Sequence, residues 1–365
     1  MKTGDLDTFF AWTEAEYRDN PGNKAALIAY AETLAYMGRN DDKLAVLNEG
    51  SVLHPKSASI QIAIGIEWLT RGEYAKGWPH YLHRKRTYRN DAEKQMKLPP
   101  DREWKGEPVE GSRILVLWEQ GLGDTIHFIR GAIDLQRLGA RPLLDVQSPL
   151  RPVMAASPAL GLALSGGAKV APNLWIRMLD MVPLISPTAA QIRWPGAYIS
   201  APAIAEPILP LAGRASLRVG LAWTGSADFP MNDIRSVPLA ALAPLRDCAR
   251  CDFYSLMLLP VADQIAAEGF QDWITDLSPV AQPFDRLAGV ISQLDVVVTM
   301  CTSIAHLAGA MGKPTFLMLS TMGEWRWGRD SSTTPWYPSM RLFRQPRFGD
   351  WDSVVAEVCE ALEAL

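Results

Sequence analysis

The sequence predicts an α/β protein in which a stack of paired helices precedes two halves built on strand–helix–strand units. Three observations carry this. Residues 1 to about 90 repeat with a period of 34: Pro21 and Pro55, Gly38 and Gly72, and Leu34 and Trp68 fall at matching places. From Arg113 to Gln147 an apolar run, a glycine turn, an amphipathic helix and a second apolar run follow one another. Asp295–Ser320, DVVVTMCTSIAHLAGAMGKPTFLMLS, has the same layout and is the stretch around which the chain is organised.

In the first full repeat Leu27, Tyr30, Ala31 and Leu34 lie along one helix, Gly38 marks the turn, Leu44 and Leu47 line a second helix, and Pro55 closes it. The second repeat has Ile64, Gly65, Trp68, Gly72, Tyr81 and the phrase GEYAKGW; residues 3–20 read as the second helix of an earlier, incomplete unit. The period is that of tetratricopeptide repeats, which bury apolar faces by stacking and hold a peptide or another domain on the concave side. About two and a half units are short for a free-standing solenoid, so this segment is expected to dock on the rest of the chain. His83–Arg89, HRKRTYR, is the densest basic run and reads as the solvated end of a helix. Residues 89–112 are polar, carry three prolines and show no period; they read as an extended linker pinned to the following domain by Trp104.

Ile114–Gln120 reads as a strand, and Gly121-Leu122-Gly123-Asp124-Thr125 as a tight turn opening a helix with Ile126, Ile129, Ile133 and Leu138 inward. A second strand, Pro142–Gln147, follows at the interval of a parallel crossover. Glycines at such a turn let a ligand approach the backbone, and Asp124 sits where a carboxylate projects over the strand ends; a plain helix cap is the other reading. GLGD lacks the G-x-G-x-x-G spacing, so a nicotinamide cofactor is not supported. Prolines recur from Pro149 to Pro210, with Leu179–Pro187 expected as a short strand and loop, and a link is expected near 211–217. The pattern then restarts: strand Arg218–Trp223, a Thr224-Gly225-Ser226 turn, a polar loop with Asn232, Asp233, Arg235 and Ser236, and strands at Cys251–Leu258 and Ile274–Pro279. A helix over Phe284–Leu294 leads to the strand Val296–Thr299, then to a helix with Ile304, Leu307, Ala308 and Met311 on one face. Gly312 ends that helix, Thr315–Leu319 is a strand, and a closing helix begins at Trp351. The first N–H groups of the helix that starts at Thr302-Ser303 have no partner within it, so its positive end suits an anion such as a diphosphate; an ordinary cap is the alternative.

At 365 residues and 48% hydrophobic composition the chain can bury a sizeable core in two or three domains. A net charge of −4 and a pI near 5.8 argue against nucleic acid or anionic membrane as partners. No apolar run approaches the ~18 residues of a membrane span and MKTGDLDTFF lacks a signal-peptide layout, so a soluble cytoplasmic protein is expected. Cys248 and Cys251 have no second pair or nearby His; they read as reduced thiols rather than a zinc site, and no metal is expected.

The phrases GEYAKGW, EWKGEPVEGSRILVLWEQGLGDTIHF, RVGLAWTGS, NDIRS, FYSL, TSIAHLAGAMGKPT, EWRWGRDSSTTPWYPSMRLFRQ and GDW together carry a resemblance over nearly the whole chain. It resembles bacterial proteins that join tetratricopeptide repeats to a GT-B glycosyltransferase domain similar to the ADP-heptose:lipopolysaccharide heptosyltransferases. The resemblance implies repeats over 1–88, a linker over 89–112, an acceptor-side Rossmann-like domain over 113–212 and a nucleotide-sugar-side Rossmann-like domain over 213–365, in GT-B arrangement. By that analogy Asp124 would take a proton from the acceptor hydroxyl. Thr302, Ser303 and His306 would hold the diphosphate of a nucleotide diphosphate sugar, the co-substrate, and Thr224, Gly225 and Ser226 would meet it from the other loop. Arg235 would offset charge on the departing nucleotide; Gly121, Gly123, Ser255, Leu256 and Cys301 would border the ligand. No cofactor or metal is implied, and inversion at the anomeric carbon is expected from the likeness.

Two positions depart from the resembled pattern: Cys301 stands where an Asp is usual, and Met257 where Gln often follows FYSL. Two functions follow: transfer of a sugar to a protein or glycan acceptor recruited by the repeats, or a transferase-like scaffold that binds partners without turnover.

Overall fold

The structure, a computed structural model, describes residues 3–86, 97–160, 163–164, 172–203, 209 and 217–365. Most of the expected link at 211–217 and the first part of the expected linker lie outside the described residues, as do the last residues of the basic run at 83–89.

Five helices come first: α1 Thr3–Asp19, α2 Lys24–Tyr36, α3 Asn40–Leu53, α4 Ala58–Thr70 and α5 Tyr74–Tyr81, each packed on the one before. The repeat is real at the level of hydrogen bonds. Gly38 N–H reaches Ala35 O at 3.1 Å and Arg39 N–H reaches Leu34 O at 2.8 Å; Gly72 and Glu73 repeat both bonds to Leu69 O (3.0 Å) and Trp68 O (2.9 Å). Both glycines have positive φ, +71° and +77°, a conformation that suits Gly because it has no Cβ. Leu27, Leu34, Leu47, Ile60 and Ile64 form a core of their own, whereas Leu69, Tyr74, Trp78 and Tyr81 belong to the main core. The helical segment thus docks through α4 and α5.

Two parallel sheets follow. The four-stranded sheet has the order β3-β2-β1-β4, with β1 Arg113–Leu117, β2 Arg141–Asp145, β3 Ala163–Leu164 and β4 Leu174–Arg177. α6 Leu122–Phe128 and α7 Arg130–Arg137 cross from β1 to β2. The six-stranded sheet has the order β10-β9-β8-β5-β6-β7, with β5 Leu217–Ala222, β6 Cys251–Ser255, β7 Ile274–Asp276, β8 Val296–Met300, β9 Thr315–Leu319 and β10 Met340–Arg344. α8 Phe284–Gln293, α9 Ser303–Ala310 and α10 Trp351–Glu363 complete it. β8 and β9 are buried at every position, which is why they read as continuous apolar runs rather than alternating ones. Gly312 (φ +71°) ends α9, and Lys313 Nζ then donates to Ser292 O and Leu294 O at 2.7 and 2.8 Å, closing the end of α8 with a cation.

Several expectations are corrected. Leu179–Pro187 is not a strand: Met178–Asp180 is a 3₁₀ turn and Met181–Ile185 a short helix, the strand beside them being β4. Its apolar run could belong to either element, and length did not arbitrate. β1 ends at Leu117 rather than Gln120, and Leu138 is 50% exposed rather than inward, because α7 begins anew at Arg130 and shifts the phase. β10, Met340–Arg344, is a strand at a place where the pattern predicts none. Two residues of the basic run are not solvated as expected: Arg84 is buried, bonded to Glu119 at 3.1 Å and to Asp180, while Lys85 pairs with Asp180 and Glu103 at 2.7 Å each. Burial alone would lower the Arg84 guanidinium, but Glu119 and Asp180 outweigh it and hold it above its ordinary value. Trp104 does pin its segment: it is buried, its N–H bonds Trp175 O at 2.8 Å, and Glu103 bridges to β4.

Candidate active site

Ligand crevices in open parallel sheets lie at the carboxyl ends of strands where the strand order reverses. In the first sheet that point is β1, flanked by β2 and β4; in the second it is the β5/β8 pair. The loops leaving these strands are Gly121–Asp124, Thr224–Ser226 and Cys301–Ser303, the three stretches singled out in the sequence.

Asp124 lies in the first turn of α6. Its Oδ2 accepts the Gly121 N–H at 3.0 Å, so the plain-cap reading is satisfied. Its Oδ1 accepts from Arg326 Nη2 at 2.5 Å. Arg326 Nη1 donates to Glu324 Oε1 at 2.6 Å, and the Arg326 backbone N–H donates to Glu324 Oε2 at 3.1 Å. The guanidinium lies over the rings of Phe128 and Trp325, at 4.7 and 4.8 Å. Burial works against its charge, but Glu324 and Asp124 raise it above its ordinary value; burial, reinforced by Asp124, pushes the Glu324 carboxyl up against the pull of Arg326.

α9 starts opposite. Thr302 is extended (φ −141°, ψ 178°) and its side chain caps no N–H of the helix; its hydroxyl donates to Met300 O at 3.4 Å. Gly123 sits directly above: a Cβ there would come within 2.9 Å of His306 Cδ2 and 3.4 Å of Ser303 Cα. The GLGD turn and the Thr302-Ser303 mouth therefore meet, and the mouth is narrow. His306 is one turn into α9, its N–H on Thr302 O at 3.3 Å, with its ring buried and stacked on Trp327 at a centroid distance of 5.2 Å. The Tyr337 hydroxyl lies 3.0 Å from both His306 Nδ1 and His127 Nδ1. Burial first, then surrounding arginines, hold both imidazoles well below their ordinary value, so both are neutral near pH 7.

Cys301 Sγ accepts the Trp327 indole N–H at 3.1 Å, and burial together with Glu324 pushes the thiol up to about 11. Arg235 Nη1 donates to Cys301 O at 2.9 Å and its guanidinium lies 4.2 Å from the Phe229 ring centroid, so Arg235 ties two loops together. Burial lowers its pKa. The loop after β5 is closed on itself: Thr224 Oγ1 is 2.7 Å from Ser236 Oγ and accepts from Asn232 Nδ2 at 3.0 Å, while Gly225 N–H donates to Asn232 Oδ1 at 3.1 Å. Ser226 Oγ accepts the Asp228 N–H at 3.3 Å. Ser255 and Leu256 do not border the cleft as expected. Both are fully buried, Ser255 Oγ accepting the Met257 N–H at 3.1 Å and Leu256 N–H donating to Leu221 O at 2.8 Å.

The structure thus seats Gly123 against Ser303 and His306, ties Arg235 to the Cys301 carbonyl, and buries Ser255 and Leu256 fully. Sequence reasoning assigned nothing to Glu324, Arg326, Trp327, Tyr337 or His127. For all but His127, which lies in GLGDTIHF, the only signal was the density of Trp and Arg in EWRWGRDSSTTPWYP, which has no period to read. An open cleft of about 670 Å³ is lined by Arg71, Gly72, Arg326, Arg329 and Ser331 among others. Among the described residues no group of His, Cys, Asp and Glu is placed to hold a metal ion, and no helix is long and apolar enough to cross a membrane.

The mixed α/β architecture with its parallel sheets matches GT-B-like folds. Of solved structures, the glycosyl transferase family 9 protein of Veillonella parvula is similar with a TM-score of 0.51 and 10% identity, over 71% of this chain and 99% of that one. The E. coli ADP-heptose lipopolysaccharide heptosyltransferase II aligns with a TM-score of 0.45 and 13% identity, over 69% of this chain and 98% of its own. No family model matches the chain. Protein FlbA of Caulobacter vibrioides is 24% identical over 335 residues, 84% of this chain; the chain spans 55% of the length of that curated relative.

Proposed function

We propose that this chain transfers a glycosyl unit from a nucleotide diphosphate sugar to a protein or glycan acceptor. The observation that carries the reading is the meeting of Asp124 and Gly123 with the uncapped start of α9, which gives a carboxylate and an anion-favouring helix end on facing walls. Asp124 accepts the proton of the acceptor hydroxyl as its oxygen bonds to the anomeric carbon, and the bond from that carbon to the diphosphate breaks, leaving the electron pair on the nucleotide. Backbone N–H groups at Ser303, with Thr302 and Arg235, receive the developing charge. His306, neutral and buried, supports this wall by packing beneath it. Thr224 and Ser226 belong to the facing loop; the Gly225 N–H is engaged by Asn232 and would reach a phosphate only if that bond opened. The helices α1–α5 are tetratricopeptide repeats in this reading, the boundaries fall at 1–88, 89–112, 113–212 and 213–365, and the 670 Å³ cleft between the α4–α5 turn and residues 326–335 admits the acceptor.

A second reading, a transferase-like scaffold without turnover, is favoured by one observation: both Asp124 oxygens already have partners. Thermal shift with UDP, ADP and GDP, and turnover with a panel of their sugars, separate the two. A rise in melting temperature and Asp124-dependent turnover support the transferase. Silence throughout supports the scaffold.

A further inference from the structure

We infer that Arg326 is a positioning residue for Asp124, and that Glu324 is the counter-carboxylate that makes this compatible with proton transfer; the inference rests on the transferase reading above. A carboxylate oxygen has two acceptor sites. Asp124 uses one on Oδ2 for the Gly121 N–H and one on Oδ1 for Arg326, which fixes its plane while leaving a site on each oxygen for an incoming hydroxyl. The two anchors come from different sheets, since Gly121 follows β1 and Arg326 follows β9. Arg326 itself cannot swing: its side chain is 6% exposed, sandwiched by Phe128 and Trp325, and held at backbone and guanidinium by Glu324.

An Asp–Arg pair alone would be neutral and a poor proton acceptor. Glu324 adds a second carboxylate to the same guanidinium, so the charge of Arg326 is shared between two carboxylates rather than spent on Asp124 alone. A tie between the sheets needs only one carboxylate on the arginine; two, one from each wall, suit a site that must both hold Asp124 and leave it anionic.

The test is a double-mutant cycle on the full chain with UDP-, GDP- and ADP-sugars as donors, reading kcat and donor KM separately. Asp124→Asn is expected to lower kcat about 10²–10⁴-fold. Arg326→Gln and Glu324→Gln should each lower kcat at least about tenfold with donor KM within about twofold, and Arg326→Lys should recover part of the loss. Because both act through Asp124, neither should slow the Asp124→Asn variant further. Losses that multiply in the double variants overturn the inference while leaving the transferase standing. Wild-type protein inert toward every donor removes the transferase reading and the inference with it. Should Arg326→Gln fail to fold, Glu324→Gln and its double variant decide the matter, since no buried cation is removed.

Discussion

Cys301 stands just before a helix N-terminus, a place where a thiol can be activated, but burial and the nearby Glu324 carboxylate keep it a neutral thiol. With the thiol at about 11, and Cys251 and Cys359 pushed by burial to about 11 and 12, thiolate is scarce below pH 9. Native protein should therefore react slowly with iodoacetamide at pH 8 and label fully once unfolded, as peptide mass spectrometry would record; rapid native labelling of Cys301 would contradict the geometry. The two histidines on Tyr337 act in the acid range. Their folded values lie below the ordinary 6.5, so the unfolded chain binds protons first, and stability is intact above about 6.5 and falls as pH drops below it. A melting-temperature series from pH 7.5 to 5 should show this loss, and His127→Phe should flatten it. None of this could be read from the residues, because a His or Cys takes its character from neighbours far along the chain.

At the scale of elements, glycine turns were the most legible features. Gly38, Gly72 and Gly312 stand where the pattern placed turns, and all three have positive φ. The glycine turn at Gly123 suggests close approach by a ligand; in the structure what approaches Gly123 is α9. Gly123→Ala should force α6 and α9 apart, costing about 1–3 kcal/mol by urea denaturation and lowering any turnover. Gly22→Ala, whose Cβ would meet only Asn20 Oδ1 at 3.7 Å, is the matched control and should be near neutral. α4 and α5 cross through a similar contact, a Cβ on Gly65 lying 2.5 Å from Tyr81 N and one on Gly77 lying 3.0 Å from Gly65 O. That close approach explains the glycines at 65 and 77, which the 34-residue period alone did not require.

Across the whole molecule, the helical segment and the sheets share one core. Tyr74, Trp78 and Tyr81 of α5 pack around Trp325 at centroid distances of 5.5 to 6.2 Å, and Arg84 reaches Glu119 and Asp180. Removing the arginine leaves the buried Glu119 short of a counter-charge, whereas Asp180 keeps Lys85. Arg84→Met should cost about 3–5 kcal/mol, seen as a lower urea midpoint, and Glu119→Gln in the same chain should restore part of it. A neutral Arg84→Met would mean the helices are held by the aromatic cluster alone.

Local pattern determined the elements by itself: the apolar runs of β1, β5, β8 and β9 and the glycine turns all depend on residues a few positions apart, and the helix pairs on a fixed 34-residue offset. The same locality located the three strand-end loops of the candidate site. Only the tertiary structure decided what faces them, because Asp124 and Arg326 are 202 positions apart and Arg84 and Asp180 are 96 apart. Periodicity reports which side of an element is apolar, whereas the pairing of buried charges depends on how whole elements are stacked, and no spacing along the chain encodes that distance.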